Sequence, residues 1–367
     1  MRKIEFKGKM PDPFLKENGT RMTPQEWQEK REGIRDFIVD FEFGGMPPRP
    51  EYVEFELINF GGNATSPAWY RVKAGKKDKY LTFNLAIKRN RAEGVKHPVL
   101  LTGDGCFLNL ENDTIDEACN RGYAIAWFNR LDFANDTFKL TDRLGPLYEI
   151  YPEYTDFTAM SAWAWGYSVC MDVFEQLDYI DETEVGITGH SRGGKTVLLA
   201  ATVDERIKYV CPNSSGTHGA NSYRCIVTEQ GEKGASSERL SYMMEKIPTW
   251  MGPKLREHID NEEKLPYDMH YFGALIAPRY YLQIEGLQDY WINPVGAWQN
   301  FCAVKECYKY LGCEDNAGAW YKPGGHRQKY DEFKEFMDFM DRARAGLPLA
   351  EHLQVNPYPE IEKNFDW

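Results

Sequence analysis

The spacing of apolar positions changes character along this chain, and each change predicts a different element. Thr23-Pro24-Gln25-Glu26 supplies a capping residue, a proline at the first helical position and an early acid, a start signal for a helix running to about Asp40. The Gly44-Gly45-Met46-Pro47-Pro48-Arg49-Pro50 stretch stops it. Runs rich in β-branched and aromatic residues follow at 52–60, 68–72 and 80–87, separated by Gly, Asn and Lys turns; they predict antiparallel strands. After His97, short apolar runs at 98–101, 123–128, 184–188, 209–212, 280–284 and 317–321 alternate with helical stretches at 157–177, 193–201 and 296–311. Strands that are apolar on both faces and alternate with helices predict a mostly parallel sheet covered on both sides.

No repeat or low-complexity tract interrupts this pattern, so 1–367 is expected to be one domain. An N-terminal arm of about 1–50 would wrap it, an insertion would occupy about 222–265, and the tail from Ala350 would lie on the surface. With 42% apolar and 27% charged residues, the chain is long enough for a large core. The net charge of −12 disfavours phosphate backbones and anionic lipid, so neither a nucleic-acid nor a membrane partner is expected. No apolar run approaches a membrane span or a secretory leader, which leaves the compartment open between cytoplasm and export with the leader removed. The eight cysteines form no CxxC pair, which argues against a metal cage and leaves disulfide pairing open. A monomer without a cofactor is expected. Ten Trp and 22 Tyr offer faces on which sugars stack, beside their ordinary packing role.

The chemistry concentrates at Gly189-His190-Ser191-Arg192-Gly193, which sits between an apolar strand and an apolar helix. A serine on so sharp a turn projects its hydroxyl at a helix N-terminus, where developing negative charge is favoured. Gly193→Val should therefore destroy the turn, by driving a side chain into the neighbouring strand. The plain alternative is a Gly-Ser-Gly turn capping a helix. A serine nucleophile needs a histidine base, with a carboxylate between them in chain order. Of His218, His258, His270, His326 and His352, only His326 directly follows the last strand and precedes the last helix, in Lys322-Pro-Gly-Gly-His326, while His352 lies in the tail. His270 precedes a strand and reads as structural. For the acid, Asp289 lies in the loop after the penultimate strand, with Glu285 as its rival nearer the strand end. A salt bridge or helix cap is the alternative for either.

Gly189-His-Ser191-Arg192-Gly-Gly-Lys195 resembles the Gly-Cys-Ser-Arg-x-Gly-Lys signature of glucuronoyl esterases, carbohydrate esterase family 15. Pro11-Asp-Pro-Phe14, Glu42-Phe43-Gly44 at a helix end, Leu265-Pro-Tyr-Asp-Met-His270, Ala274-Leu-Ile-Ala-Pro-Arg279 and Asp289-Tyr-Trp291-Ile-Asn-Pro294 resemble further landmarks of that family. The likeness spans about residues 11–345. It implies an α/β-hydrolase fold: a three-layer sandwich around a mostly parallel central sheet with antiparallel N-terminal strands. It also implies hydrolysis of the ester between 4-O-methyl-glucuronate of glucuronoxylan and a lignin alcohol. By position, Ser191 would be the nucleophile, His326 the base and Arg192 an oxyanion contact. Lys195 would bind sugar hydroxyls and Trp291 would line the uronate.

Two departures stand out. His190 replaces the family's cysteine, and Ser214 stands where many members place the acid, which directs that role to Asp289. His218 in Gly216-Thr-His-Gly219 and Glu245 in the insertion are further candidates for substrate contact. Two other functions remain open at this point. One is an acetyl xylan esterase, or another small carbohydrate-ester hydrolase, using the same triad. The other is a non-catalytic carbohydrate-binding relative.

Overall fold

The computed structural model describes residues 2–59, 66–90, 94–107, 110–138 and 141–367. The arm opens with strand β1 (Lys3–Phe6) and continues into helix α1 (Pro24–Phe43). Thr23 and Glu26 close a reciprocal capping box at its start, and Gly44 ends it at φ 68°. A Cβ on Gly44 would overlap the carbonyl of Asp156, so glycine is needed there for space as well as for conformation. The helix runs three residues beyond the expected Asp40, which brings Glu42 and Phe43 under the body of the protein.

Three antiparallel strands follow: β2 (Tyr52–Asn59), β3 (Ala68–Lys76) and β4 (Lys79–Lys88). Phe60, the expected end of the first, lies outside the described residues. The parallel region then runs β5 (His97–Thr102), α2 (Asn112–Asn120), β6 (Ala124–Phe128), α3 (Pro146–Ile150), α4 (Ala159–Phe174), β7 (Ile180–His190), α5 (Arg192–Val203) and β8 (Tyr209–Asn213). The stretch 222–265, expected as an insertion, holds β9 (Cys225–Thr228) and α6 (Leu240–Lys246). The chain closes with α7 (His270–Ile276), β10 (Tyr280–Gly286), α8 (Pro294–Tyr310), β11 (Ala317–Lys322) and α9 (Tyr330–Arg344).

The main sheet has the order β11-β10-β8-β7-β5-β6-β4-β3-β2, parallel from β11 to β6 and antiparallel beyond. Alternation along its strands divides the core into two layers. Leu100, Ile125, Tyr209 and Leu282 pack with α2 and α9, while Val99, Ala126, Val210 and Tyr281 pack with α4, α5, α7 and α8 on the other face. This three-layer arrangement is the α/β-hydrolase architecture. Helix α4 is buried along nearly its whole length, which is why its sequence lacks a polar stripe.

The arm is stitched down by pairings the sequence did not announce. Strand β1 pairs antiparallel with β9, and the Met10 N–H donates to the Asn364 carbonyl (2.9 Å). The tail is anchored rather than loose: Leu353, Tyr358 and Phe365 are buried, and the Trp367 indole donates to Met10 O (2.9 Å). All eight cysteines are free thiols.

Candidate active site

The sharp turn between β7 and α5 holds Ser191 at φ 56°, ψ −117°, a strained conformation for a residue with a side chain. Its N–H donates to Asn213 O at the end of β8 (2.9 Å). The glycines serve close approach here. A Cβ on Gly189 would come within 2.5 Å of the Gly193 carbonyl, and one on Gly193 would collide with the carboxylate of Asp104. The obstacle at Gly193 is thus an acidic side chain in the loop after β5, not the neighbouring strand. That carboxylate accepts from the His190 N–H (2.7 Å) and pairs with the fully buried Arg130. Burial lowers the Arg130 guanidinium to about 10.

Asp289 and His326 come from the loops after β10 and β11, brought side by side by the parallel pairing of those strands. His326 Nδ1 lies 2.7 Å from Asp289 Oδ2, with the carboxylate buried and the imidazole 39% exposed. The His326 ring also lies 4.2 Å, centroid to centroid, from the ring of His190, which directly precedes Ser191. His190 Nδ1 meets Asn213 Oδ1 (2.8 Å). Burial, reinforced by His326, drops the His190 imidazole to about 4, so it packs there as a neutral ring. Gln288 supports the same loop pair, accepting from the Gly324 N–H.

Glu285, the rival acid, makes no contact with His326. Its carboxyl is fully buried with neither oxygen hydrogen-bonded. Burial first, and the nearby Asp289 second, push its pKa well up, which favours the neutral acid. Four residues apart, the two carboxyls differ in environment: Asp289 is paired with His326, and Glu285 has no ion-pair partner among the described residues. Ser214 has its hydroxyl buried without a partner at φ 44°.

On the β8 side of the turn, Lys195 is 1% exposed. Its ammonium donates to Ser215 O and Thr217 O and pairs with Glu238 at 3.0 Å. Burial lowers its pKa, and Glu238 opposes that shift. Glu238 is the residue that sequence reasoning missed. The available signal was a lysine facing burial, which requires a carboxylate somewhere in the fold. The Glu238 N–H donates to Trp291 O (2.7 Å), tying the insertion to the acid's loop. Trp291 is 41% exposed and stands edge-on to Tyr242 at 4.8 Å. On the β5 side, Arg192 donates to Asp136 Oδ2 (2.6 Å) and lies over the Trp250 ring at 5.0 Å.

Two expected substrate contacts have partners within the protein. Glu245 is solvent-exposed and pairs with its neighbour Lys246, because the surface of α6 carries it outward. His218 is fully buried at φ 67°. Its Nδ1 meets Glu42 and Tyr223, and its Nε2 lies 3.0 Å from the Trp250 carbonyl. Tyr223 and Tyr267 also donate to Glu42, so His218 belongs to a network locking the end of α1 to the insertion.

The family described as "Glucuronyl esterase, fungi" matches residues 72–312. The 4-O-methyl-glucuronoyl methylesterase 1 of Wolfiporia cocos is 27% identical to this chain over 91% of it and 80% of the relative. The 4-O-methyl-glucuronoyl methylesterase of Podospora anserina is 26% identical over 84% of this chain, which spans 61% of that protein. Among solved structures, a carbohydrate esterase family 15 glucuronoyl esterase from Caldicellulosiruptor kristjansonii aligns with a TM-score of 0.82 at 27% identity, covering 97% of this chain and 96% of that one.

Proposed function

The chain belongs to the glucuronoyl esterase family, and from that membership we propose that it hydrolyses the ester between a glucuronate of glucuronoxylan, 4-O-methylated or not, and a lignin alcohol. The observation that carries the reading to this substrate class is the buried Lys195–Glu238 pair one helical turn beyond Ser191, beside the exposed face of Trp291. A hydroxyl-rich ring can donate to the carboxylate that the ammonium holds in place and lie against the indole. A bare acetyl group would leave those groups without a role.

In this reading Ser191 Oγ attacks the uronate carbonyl carbon while His326 Nε2 takes its proton, and Asp289 holds the proton on Nδ1 and stabilises the imidazolium. Negative charge on the carbonyl oxygen develops at the N-terminus of α5, near the Arg192 guanidinium that Asp136 holds in place. Collapse expels the alcohol, protonated by His326, and leaves a glucuronoyl ester on Ser191. Water activated by the same imidazole then releases free glucuronate and restores the serine.

The test compares turnover of benzyl glucuronate with that of acetylated xylan. Cleavage of the uronate ester at the higher kcat/KM is expected. Turnover of acetyl esters alone would overturn the substrate assignment and leave the nucleophile in place.

A further inference from the structure

His326 is held by little besides its carboxylate. Gly324 and Gly325 precede it, the imidazole is exposed, and Nδ1 is its one hydrogen-bonded nitrogen among the described residues. One hydrogen bond fixes where Nδ1 sits and leaves the ring free to tilt about that point. Nε2 lies across the ring, so a tilt carries the proton-accepting atom out of line with the serine.

The ring of His190 meets the base from the nucleophile's strand. Its centroid is 4.2 Å from that of His326, with the two planes inclined at 43°. Unlike His326, His190 is fixed at several points. It is the last residue of β7, and its N–H donates to Asp104 Oδ2 (2.7 Å). Its Nδ1 donates to Asn213 Oδ1 at the end of β8 (2.8 Å), an oxygen that can only accept. Ser191 is the next residue, and its own N–H is bound to the carbonyl of the same asparagine. A rigid ring one residue from the nucleophile thus limits how far the base can tilt. Its charge state fits that task. Burial and His326 outweigh the pull of Asp289 and Glu332, the carboxylates that favour a proton on His190, so a neutral ring faces the imidazolium that forms on His326. His190 stands where the resembling signature has a cysteine, which carries no ring.

We infer that, with Ser191 and His326 acting as nucleophile and base in the function proposed above, His190 is a positioning residue whose ring packs against the His326 imidazole and keeps Nε2 aligned with the serine. It acts through the base and needs no contact with the sugar.

The experiment measures kcat and KM on benzyl glucuronate for the wild type, His190→Asn and His190→Phe, with folding checked by circular dichroism. Asparagine keeps the donor to Asn213 and removes the ring, whereas phenylalanine keeps a ring and removes the donor. His190→Asn should lose about ten-fold in kcat with KM held within about two-fold, because misaligned reacting atoms cost rate rather than affinity. His190→Phe should stay within about three-fold of the wild type in kcat. Either variant tests the role alone, the first by loss and the second by retention. Wild-type kcat in His190→Asn, a rise in KM alone, or a phenylalanine variant as slow as the asparagine one would overturn it. An uncharged p-nitrophenyl phosphonate, which forms a bond from Ser191 Oγ to phosphorus and expels p-nitrophenolate, reads the alignment without a sugar. The same ranking of phosphonylation rates supports the role, and equal rates in all three proteins overturn it. Reaction with the phosphonate but no turnover of benzyl glucuronate by the wild type would overturn the proposed substrate instead, and the phosphonylation ranking would then decide the part of His190.

Discussion

Among the described residues two histidines carry a carboxylate on Nδ1, and they sit in opposite settings. His218 faces Glu42 in full burial, with its Nε2 against the Trp250 carbonyl and its ring against Phe43 at 4.5 Å. His326 faces Asp289, is 39% exposed, and has Nδ1 as its one hydrogen-bonded nitrogen among the described residues. A carboxylate–imidazole pair is therefore no sign of catalysis in itself. What matters is whether Nε2 is left for a substrate-side proton or consumed by the protein. The first pair holds the arm to the insertion; the second, in the function proposed, moves protons at the elbow.

The largest effect that can break this contrast is on turnover. His326→Ala should lower kcat on a glucuronate ester by about 10³-fold or more while leaving the thermal midpoint nearly unchanged, as steady-state kinetics and calorimetry on one preparation would establish. The reverse is expected at the other pair. His218→Ala removes one of three partners of the buried Glu42 carboxylate, and urea unfolding should register a loss of about 1–3 kcal/mol, with kcat of the folded fraction kept within a few-fold.

A smaller effect tests the paired cation. Glu238→Gln should raise KM for glucuronate esters by about ten-fold, the scale of one hydrogen bond to a charged group, without a matching change in hydrolysis of p-nitrophenyl acetate. A rise on both substrates would mean that Glu238 supports the turn rather than the sugar.

The smallest effects concern pH. His190 titrates near 4 in the fold against 6.5 for a free imidazole, so between those values the unfolded chain binds more protons. Its contribution to stability is therefore full above 6.5 and is lost as pH falls toward 4. Glu285 has the opposite sign. With its pKa raised above the ordinary 4.5, the folded chain holds a proton that the unfolded one has released, and stability falls as pH rises beyond 4.5. Glu285→Gln should flatten that decline in melting curves taken from pH 5 to 9, with little change in kcat.

These contrasts also explain what the sequence disclosed. The turn around Ser191 was legible because its signal is local: a strand, two glycines at fixed offsets and a helix, all within a short span. The placing of Asp289 and His326 was readable as chain order, since each follows one strand of a parallel pair. Glu238 was not readable, because its partner Lys195 lies 43 residues away and no periodicity links them. His218 misled for the same reason. It sits in a glycine-flanked loop after a strand, like an active-site residue, and its true partner Glu42 lies 176 residues distant. The β1–β9 pairing escaped notice because a short edge strand carries its own alternation but no indication of its partner.

The most direct test of the account is the turnover of benzyl glucuronate by the wild type, Ser191→Ala, Asp289→Asn and Glu285→Gln, assayed side by side with folding checked by circular dichroism. The account predicts that the serine variant is inactive, that Asp289→Asn loses about 10⁴-fold in kcat through a misoriented imidazole, and that Glu285→Gln stays close to wild type. Turnover surviving in Ser191→Ala, or collapse in Glu285→Gln with Asp289→Asn active, would contradict it.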